Sequence, residues 1–202
     1  DDRKIKAPLL LMQSNGGRLP AENMRRNAIM ALLSGPAAGV VGAARQAQRS
    51  GLENLITIDM GGTSTDVCLV EDGNPEITNE FHIDNLPIRT PVLDINTVGA
   101  GGGSLIWIDE GGMLRAGPKS AGADPGPACY GRGGTQPTIT DAHVVRNTIR
   151  REAFLGGKMD VDPDAAEEAF RPLAGRLGMS IQEIADSAIR VANANIIRAI
   201  QI

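Results

Sequence analysis

Leu55-Ile56-Thr57-Ile58-Asp59-Met60-Gly61-Gly62-Thr63-Ser64-Thr65-Asp66-Val67-Cys68-Leu69-Val70 decides the fold. An apolar, β-branched run ends on a carboxylate. Two glycines, three hydroxyl residues and a second carboxylate follow, and then another apolar run. This order predicts strand, tight turn, strand. Without Cβ atoms, a Gly61-Gly62 backbone can approach a ligand closely and aim its N–H groups at it. Those amides, with the Thr63, Ser64 and Thr65 hydroxyls, suit phosphate oxygens. Asp59, at the strand end, is placed to hold a magnesium ion directly or through water. Anion donors and a cation ligand at one point are what a nucleoside triphosphate requires. The competing reading is a plain Gly-Gly hairpin with solvated hydroxyls.

Other phosphate and carboxylate motifs fit less well. No Gly-Lys-Ser/Thr follows and no helix opens after the glycines, so this is not a P-loop. No G-x-G-x-x-G follows a strand, which leaves a dinucleotide fold unsupported. An aspartic-protease reading fails because Met60 follows Asp59 and no second copy supplies the partner carboxylate.

The rest of the chain supplies a core and further loops. Its 202 residues suffice for a full domain, or a domain with an appendage. Aromatics are only 2%, so the core has to be built from Ile, Leu, Val, Ala and Met. A net charge of −4 leaves no basic footprint for nucleic acid. No signal-peptide pattern and no apolar run long enough to span a membrane is read, so a cytoplasmic protein is expected. Cys68, in an apolar strand, reads as a buried reduced thiol.

Upstream, residues 1–6 form a charged lead-in, and Ala7 to Met12 is expected to be a short buried strand ending in an Asn15-Gly16 turn. Glu22 to Leu33 has helical spacing. Ser34-Gly35-Pro36 opens a second helix, rich in small residues, that ends at Ser50-Gly51. Glu76 to Thr90 reads as one or two strands broken near Asn85-Leu86-Pro87, with His82 facing solvent.

Downstream, Val98-Gly99-Ala100-Gly101-Gly102-Gly103-Ser104 is a second glycine cluster. Its backbone entropy cost points to close approach to a ligand or another loop, against a flexible hinge. A strand over 105–108 and a hairpin through Glu110-Gly111-Gly112 follow. Residues 116–138 read as a long irregular loop, and its Cys129-Tyr130 favours an ordered loop at a site. Thr140-Asp141-Ala142-His143 opens a helix to about Arg150, with Asp141 as its cap. Asp141 and His143 are two potential metal ligands, but no Cys-x-x-Cys or His-x-x-x-His accompanies them. Asp162-Pro163 begins a helix that Gly178 stops. Ser180 to Glu183 is a capping box for an amphipathic helix still running at Ile202, which suggests a piece of a longer chain.

Taken together, Ser34 to Gly39, Asp59 to Asp66, Val98 to Ser104, Ser120 to Gly131, Thr140-Asp141-Ala142 and Val191 to Asn195 resemble the hydantoinase A/oxoprolinase family, over nearly the whole chain. The resemblance implies an α/β fold: one ribonuclease-H/actin-like ATPase lobe, a mixed sheet flanked by helices. Residues 1–202 would then be a single incomplete domain, with a first lobe before residue 1 and an adenosine-side motif after Ile202. It implies ATP and Mg2+ as cofactors and a cyclic amide, such as a hydantoin or 5-oxoproline, as substrate. A hydantoinase B-type subunit would be a partner, in an oligomeric parent. Asp59 would be the catalytic and metal-binding carboxylate. Gly61, Gly62, Thr63, Ser64, Thr65, Asp66, Gly101, Gly102 and Gly103 would bind the nucleotide. Relatives that carboxylate ketones leave that alternative open, and so does a non-catalytic interaction lobe.

Overall fold

A computed structural model describes residues 7–83 and 86–201. The lead-in over 1–6, the break expected around Asn85 and the helix end at Ile202 lie outside the described residues, in whole or in part. The chain divides into two compact units. One comprises residues 1–59 and 66–96, the other residues 60–65 and 97–202. No described helix is long and apolar enough to cross a membrane.

In the first unit, β1 (Leu10–Met12) pairs antiparallel with β2 (Arg18–Pro20). The structure corrects the expectation of a buried strand here: Leu9, Leu10 and Leu11 are all exposed. A three-residue hairpin has too little neighbouring surface to cover an apolar run. Next comes α1 (Ala21–Arg26), which is shorter than its periodicity predicts. Asn27 leaves helical geometry at φ −135°, and a 3-10 turn covers Ala28–Ala31. The Met30 carbonyl, in that turn, accepts from both the Ser14 amide (2.7 Å) and the Ser14 hydroxyl (2.9 Å).

Helix α2 (Ser34–Arg49) forms as its Pro36 and small-residue pattern predict. It buries Ala37, Val40 and Ala44 against Cys68, Val70 and Leu93. These residues belong to β4 (Thr65–Glu71) and, in the case of Leu93, to β9 (Val92–Leu93). The strand β3 (Leu55–Met60) lies beside β4, and β5 (Asn74–Pro75) pairs with β4 from the other end of the turn. Short ladders complete the unit: β6 (Ile77–Thr78) with β9, and β7 (Phe81–Ile83) with β8 (Leu86–Ile88). His82 is exposed on its strand, as expected. Cys68 is a buried free thiol. Burial, with Asp94 and Glu76 nearby, pushes it up to about 11.

β10 (Asn96–Val98) carries the chain into the second unit. There β11 (Ser104–Ile108) and β12 (Leu114–Ser120) form the expected hairpin. Because β12 runs on to Ser120, the irregular loop begins at Ala121 and not at residue 116. Helix α3 (Ile139–Val145) is also shorter than expected, since Asn147 adopts φ +56°. Its N-cap is Thr138, and Asp141 is the third helical residue of the capping box.

The helices α4 (Pro163–Leu177) and α5 (Ile181–Ile200) match their sequence signals. Asp162 caps α4 through the amides of Asp164 and Ala165, and Gly178 ends it at φ +63°. Ser180 and Glu183 form the capping box of α5. The α5 stripe Ile184, Ala185, Ala188, Ile189 and Ala192 packs with Ile106, Ala116, Ile139, Phe170 and Leu173 into the main core. One position in α4 is open to improvement. Gly175 is a helical residue whose added Cβ would meet nothing within 4 Å. Gly175→Ala should therefore raise stability by about 0.5–1 kcal/mol, read as a higher urea midpoint at unchanged m-value.

Candidate functional site

The Asp59 turn forms as its residues predict. Strand β3 ends at Met60, β4 begins at Thr65, and the Gly61 amide donates to the Ser64 carbonyl at 2.8 Å. That bond closes a four-residue turn over Gly61–Ser64. Thr63 is exposed and Ser64 half-buried. Among the described residues, the amides of Gly62, Thr63 and Ser64 have no protein acceptor. Successive amides left open in a turn are the kind of donors that make up anion-binding concavities.

The second glycine cluster packs directly on this turn. The Gly102 amide donates to the Gly61 carbonyl (3.0 Å) and the Gly103 amide to the Gly62 carbonyl (2.6 Å). The Gly101 amide is engaged by Ser104 Oγ at 2.9 Å. A Cβ on Gly101 would lie 2.7 Å from the Gly61 oxygen, and one on Gly103 would lie 2.8 Å from the Gly62 oxygen. Glycine is needed at both places so that the two backbones can touch. The amides of Gly101, Gly102 and Gly103 are therefore all committed within the protein, and Gly102 and Gly103 brace the turn through its carbonyls.

Thr65 plays a similar part. It is fully buried, and its hydroxyl donates to the Ala100 carbonyl at 2.5 Å. That hydroxyl ties the start of β4 to the second glycine cluster. The outward hydroxyls of the run are then Thr63, whose Oγ is 3.4 Å from Ser120 Oγ, and Ser64.

The carboxylates lie in the first unit. Asp59 is exposed, and a Cβ on Gly39 of α2 would sit 3.7 Å from its Oδ2. Asp66 is half-buried on β4.

In the second unit, Gly61, Gly62 and Thr63 open onto a cavity of about 470 Å³. Its other walls are Gly102, Gly103, Gly122, Ala123, Pro127, Tyr130 and Thr140. The loop over 121–137 thus reaches this site, as an ordered loop should. Sequence reading passed over Tyr130 and Thr140 as individual site residues. The signal was there for Tyr130, the one tyrosine of the chain, set in an otherwise Gly/Pro-rich loop.

One buried carboxylate holds that loop in place. Asp141 is fully buried. It accepts from the amides of Cys129 (2.8 Å), Ala128 (3.2 Å) and Thr138 (2.8 Å), and from the Thr138 hydroxyl (2.7 Å). The neighbouring Thr140 donates its amide and its hydroxyl to the Gly102 carbonyl, at 2.7 and 2.9 Å. Helix α3 therefore anchors the Cys129 loop through Asp141 and the glycine cluster through Thr140.

Among the described residues, Asp141 and His143 belong to no cluster of three or more side chains able to hold a metal ion. His143 Nδ1 lies 2.9 Å from Thr148 Oγ1, and burial with Arg146 nearby lowers its pKa. Cys129 is fully buried, and burial beside Asp141 pushes its thiol well above the ordinary range, which makes it a structural thiol.

Comparison with known proteins places this geometry in context. A family model described as hydantoinase/oxoprolinase matches residues 1–202. The caprolactamase subunit alpha of Pseudomonas jessenii is 40% identical over 195 residues, covering 96% of this chain and 28% of the relative. The 5-oxoprolinase 1 of Arabidopsis thaliana is 42% identical, covering all of this chain and 17% of the relative. A nucleotide-free structure of acetone carboxylase, from work on ATP-dependent acetone carboxylation, superposes with a TM-score of 0.83. It is 30% identical and covers 96% of this chain and 27% of that one. The chain thus spans under a third of the length of each. Its mixed α/β architecture is the hydantoinase/actin-like fold.

Proposed function

The chain belongs to the hydantoinase/oxoprolinase family, and from that premise we propose that the protein carrying it is an ATP-dependent cyclic amidohydrolase. It opens a hydantoin or lactam ring by phosphoryl activation of the amide. The observation that carries this reading is the glycine turn, whose Gly62, Thr63 and Ser64 amides face no protein acceptor among the described residues. A cradle of open amides fits a phosphate, and an exposed carboxylate two residues before Gly61 fits a hard cation. Magnesium-ATP bound there would supply a transferable phosphoryl group.

On this reading each residue has a limited task. The open amides and the Thr63 hydroxyl hold the terminal phosphate and orient it. Asp59 holds Mg2+, directly or through water. Gly101, Gly102, Gly103 and Thr65 keep the turn in shape. The cavity beside Thr63 receives the amide. An unactivated amide is a poor electrophile, so the protein's part is positioning and charge neutralisation. Several relatives are named as subunits, which supports a B-type partner subunit.

A second reading is an ATP-dependent ketone carboxylase, favoured by the superposition on acetone carboxylase. The two separate in one assay on the full-length enzyme with its partner subunit. ATP hydrolysis stimulated by 5-oxoproline or hydantoin, without bicarbonate, supports the amidohydrolase. Stimulation only by a ketone with bicarbonate supports the carboxylase, and stimulation by neither leaves a non-catalytic interaction lobe. In the same assay Asp59→Asn should lower kcat about a hundredfold, the scale of a lost charge-stabilising contact. Unchanged turnover would remove Asp59 from the mechanism.

A further inference from the structure

The cavity beside the glycine turn has two kinds of wall. Gly62 and Thr63 present polar donors, while Ala123 and Pro127 present small apolar surfaces. Tyr130 is the ionisable side chain among the lining residues. Its position is fixed from several sides. The Tyr130 ring lies 5.6 Å from the Phe154 ring, and the Arg132 guanidinium stands 6.0 Å from its centroid. Its backbone belongs to the short 3-10 turn Ala128–Tyr130, whose Ala128 and Cys129 amides are gripped by Asp141. Thr140, another lining residue, donates its hydroxyl to the Gly102 carbonyl. Burial raises the phenol's pKa, so it stays a neutral donor through neutral pH.

We propose that Tyr130 is a substrate-binding residue whose phenol donates a hydrogen bond to the carbonyl oxygen of the acceptor molecule in this cavity. The assignment rests on the phosphate reading of the Gly61-Gly62 turn. It needs only the chemistry that a cyclic amide and a ketone share. A carbonyl oxygen has two lone pairs. A bond to Tyr130 occupies one and leaves the other free to face the phosphate held by the turn. Ala123 and Pro127 then contact the carbon skeleton, where small apolar walls accept a ring or a short chain.

The test is Tyr130→Phe in the full-length enzyme with its partner subunit. Phenylalanine keeps the contacts with Phe154 and Arg132 and removes only the hydroxyl, so the thermal midpoint should hold. Two kinds of acceptor are assayed at saturating magnesium-ATP: a cyclic amide (5-oxoproline or hydantoin) alone, and a ketone (acetophenone) with bicarbonate. For whichever acceptor the wild type uses, the acceptor KM should rise about tenfold, the effect of losing one neutral hydrogen bond. The KM for magnesium-ATP should stay within about twofold, because on this reading the phosphate is held by the turn amides and not by the phenol. An unchanged acceptor KM overturns the assignment. So does a parallel rise in both KM values, which would put Tyr130 on the nucleotide or in a purely structural role. A wild-type enzyme stimulated by neither acceptor removes the proposed function and this assignment with it, an outcome visible before the variant is assayed.

Discussion

Gly101→Ala is expected to destabilise the second unit by about 3 kcal/mol and, on the proposed reading, to abolish ATP turnover by the full-length enzyme. The added Cβ would lie 2.7 Å from the Gly61 oxygen and 2.8 Å from the Gly62 carbonyl carbon and oxygen. All three are backbone atoms, so no side chain can rotate away. The loops would have to part by close to 1 Å to reach ordinary contact. That separation would stretch the Gly102–Gly61 and Gly103–Gly62 hydrogen bonds together. It would also pull the Ala100 carbonyl from the buried Thr65 hydroxyl. Overpacking alone costs about 1–3 kcal/mol, and a buried hydroxyl left without its acceptor adds about 1 kcal/mol or more. Urea unfolding reads the first effect and ATP hydrolysis the second. Gly175→Ala is the matched control, since the same methyl group enters open space there. Wild-type midpoint and turnover in Gly101→Ala would mean that the two glycine loops do not touch in the folded protein.

That prediction marks where sequence reading stopped. The Asp59–Thr65 hairpin, the caps of α4 and α5 and the buried face of α5 were legible, because each depends on residues within a few positions of one another. So was the presence of an ordered loop at a site. The clustering of Gly101, Gly102 and Gly103 was visible too, but its partner was not. Whether a glycine run approaches a ligand or another loop depends on what the fold brings to it, here the backbone of Gly61 and Gly62 about 40 residues earlier. The resemblance gave all three to nucleotide binding; in the structure their amides are bonded inside the protein, and Gly102 and Gly103 line the cavity. The helices expected over 22–33 and 140–150 end early, at Asn27 with φ −135° and before Asn147 with φ +56°, backbone geometry that apolar periodicity does not register.

Removal of the Asp141 carboxylate is the other change expected to be severe. Read locally, Asp141 is a helix cap worth about 1 kcal/mol. In the structure it is a buried acceptor for four donors contributed by Ala128, Cys129 and Thr138. Asp141→Ala leaves those donors in a space closed to water, and unsatisfied buried donors cost about 1–3 kcal/mol each. A loss of more than about 4 kcal/mol is expected, a large part of the 5–15 kcal/mol available to a typical domain. Asp141→Asn keeps the shape but turns an NH2 group toward amides that need an acceptor, so it should rescue only part of the loss. The local readout is Cys129. Its thiol is fully buried in the native protein and held protonated by burial beside Asp141, so it should resist a disulfide reagent at pH 8. Once the carboxylate is gone, the loop that carries Cys129 and Tyr130 loses its anchor to α3. Cys129 should then react at rates approaching those in denaturant, while Cys68, buried in the other unit, stays protected. If both thiols became reactive together, the loss would be global unfolding. If neither did, and the urea midpoint held, Asp141 would have no part in fixing the loop that shapes the cavity.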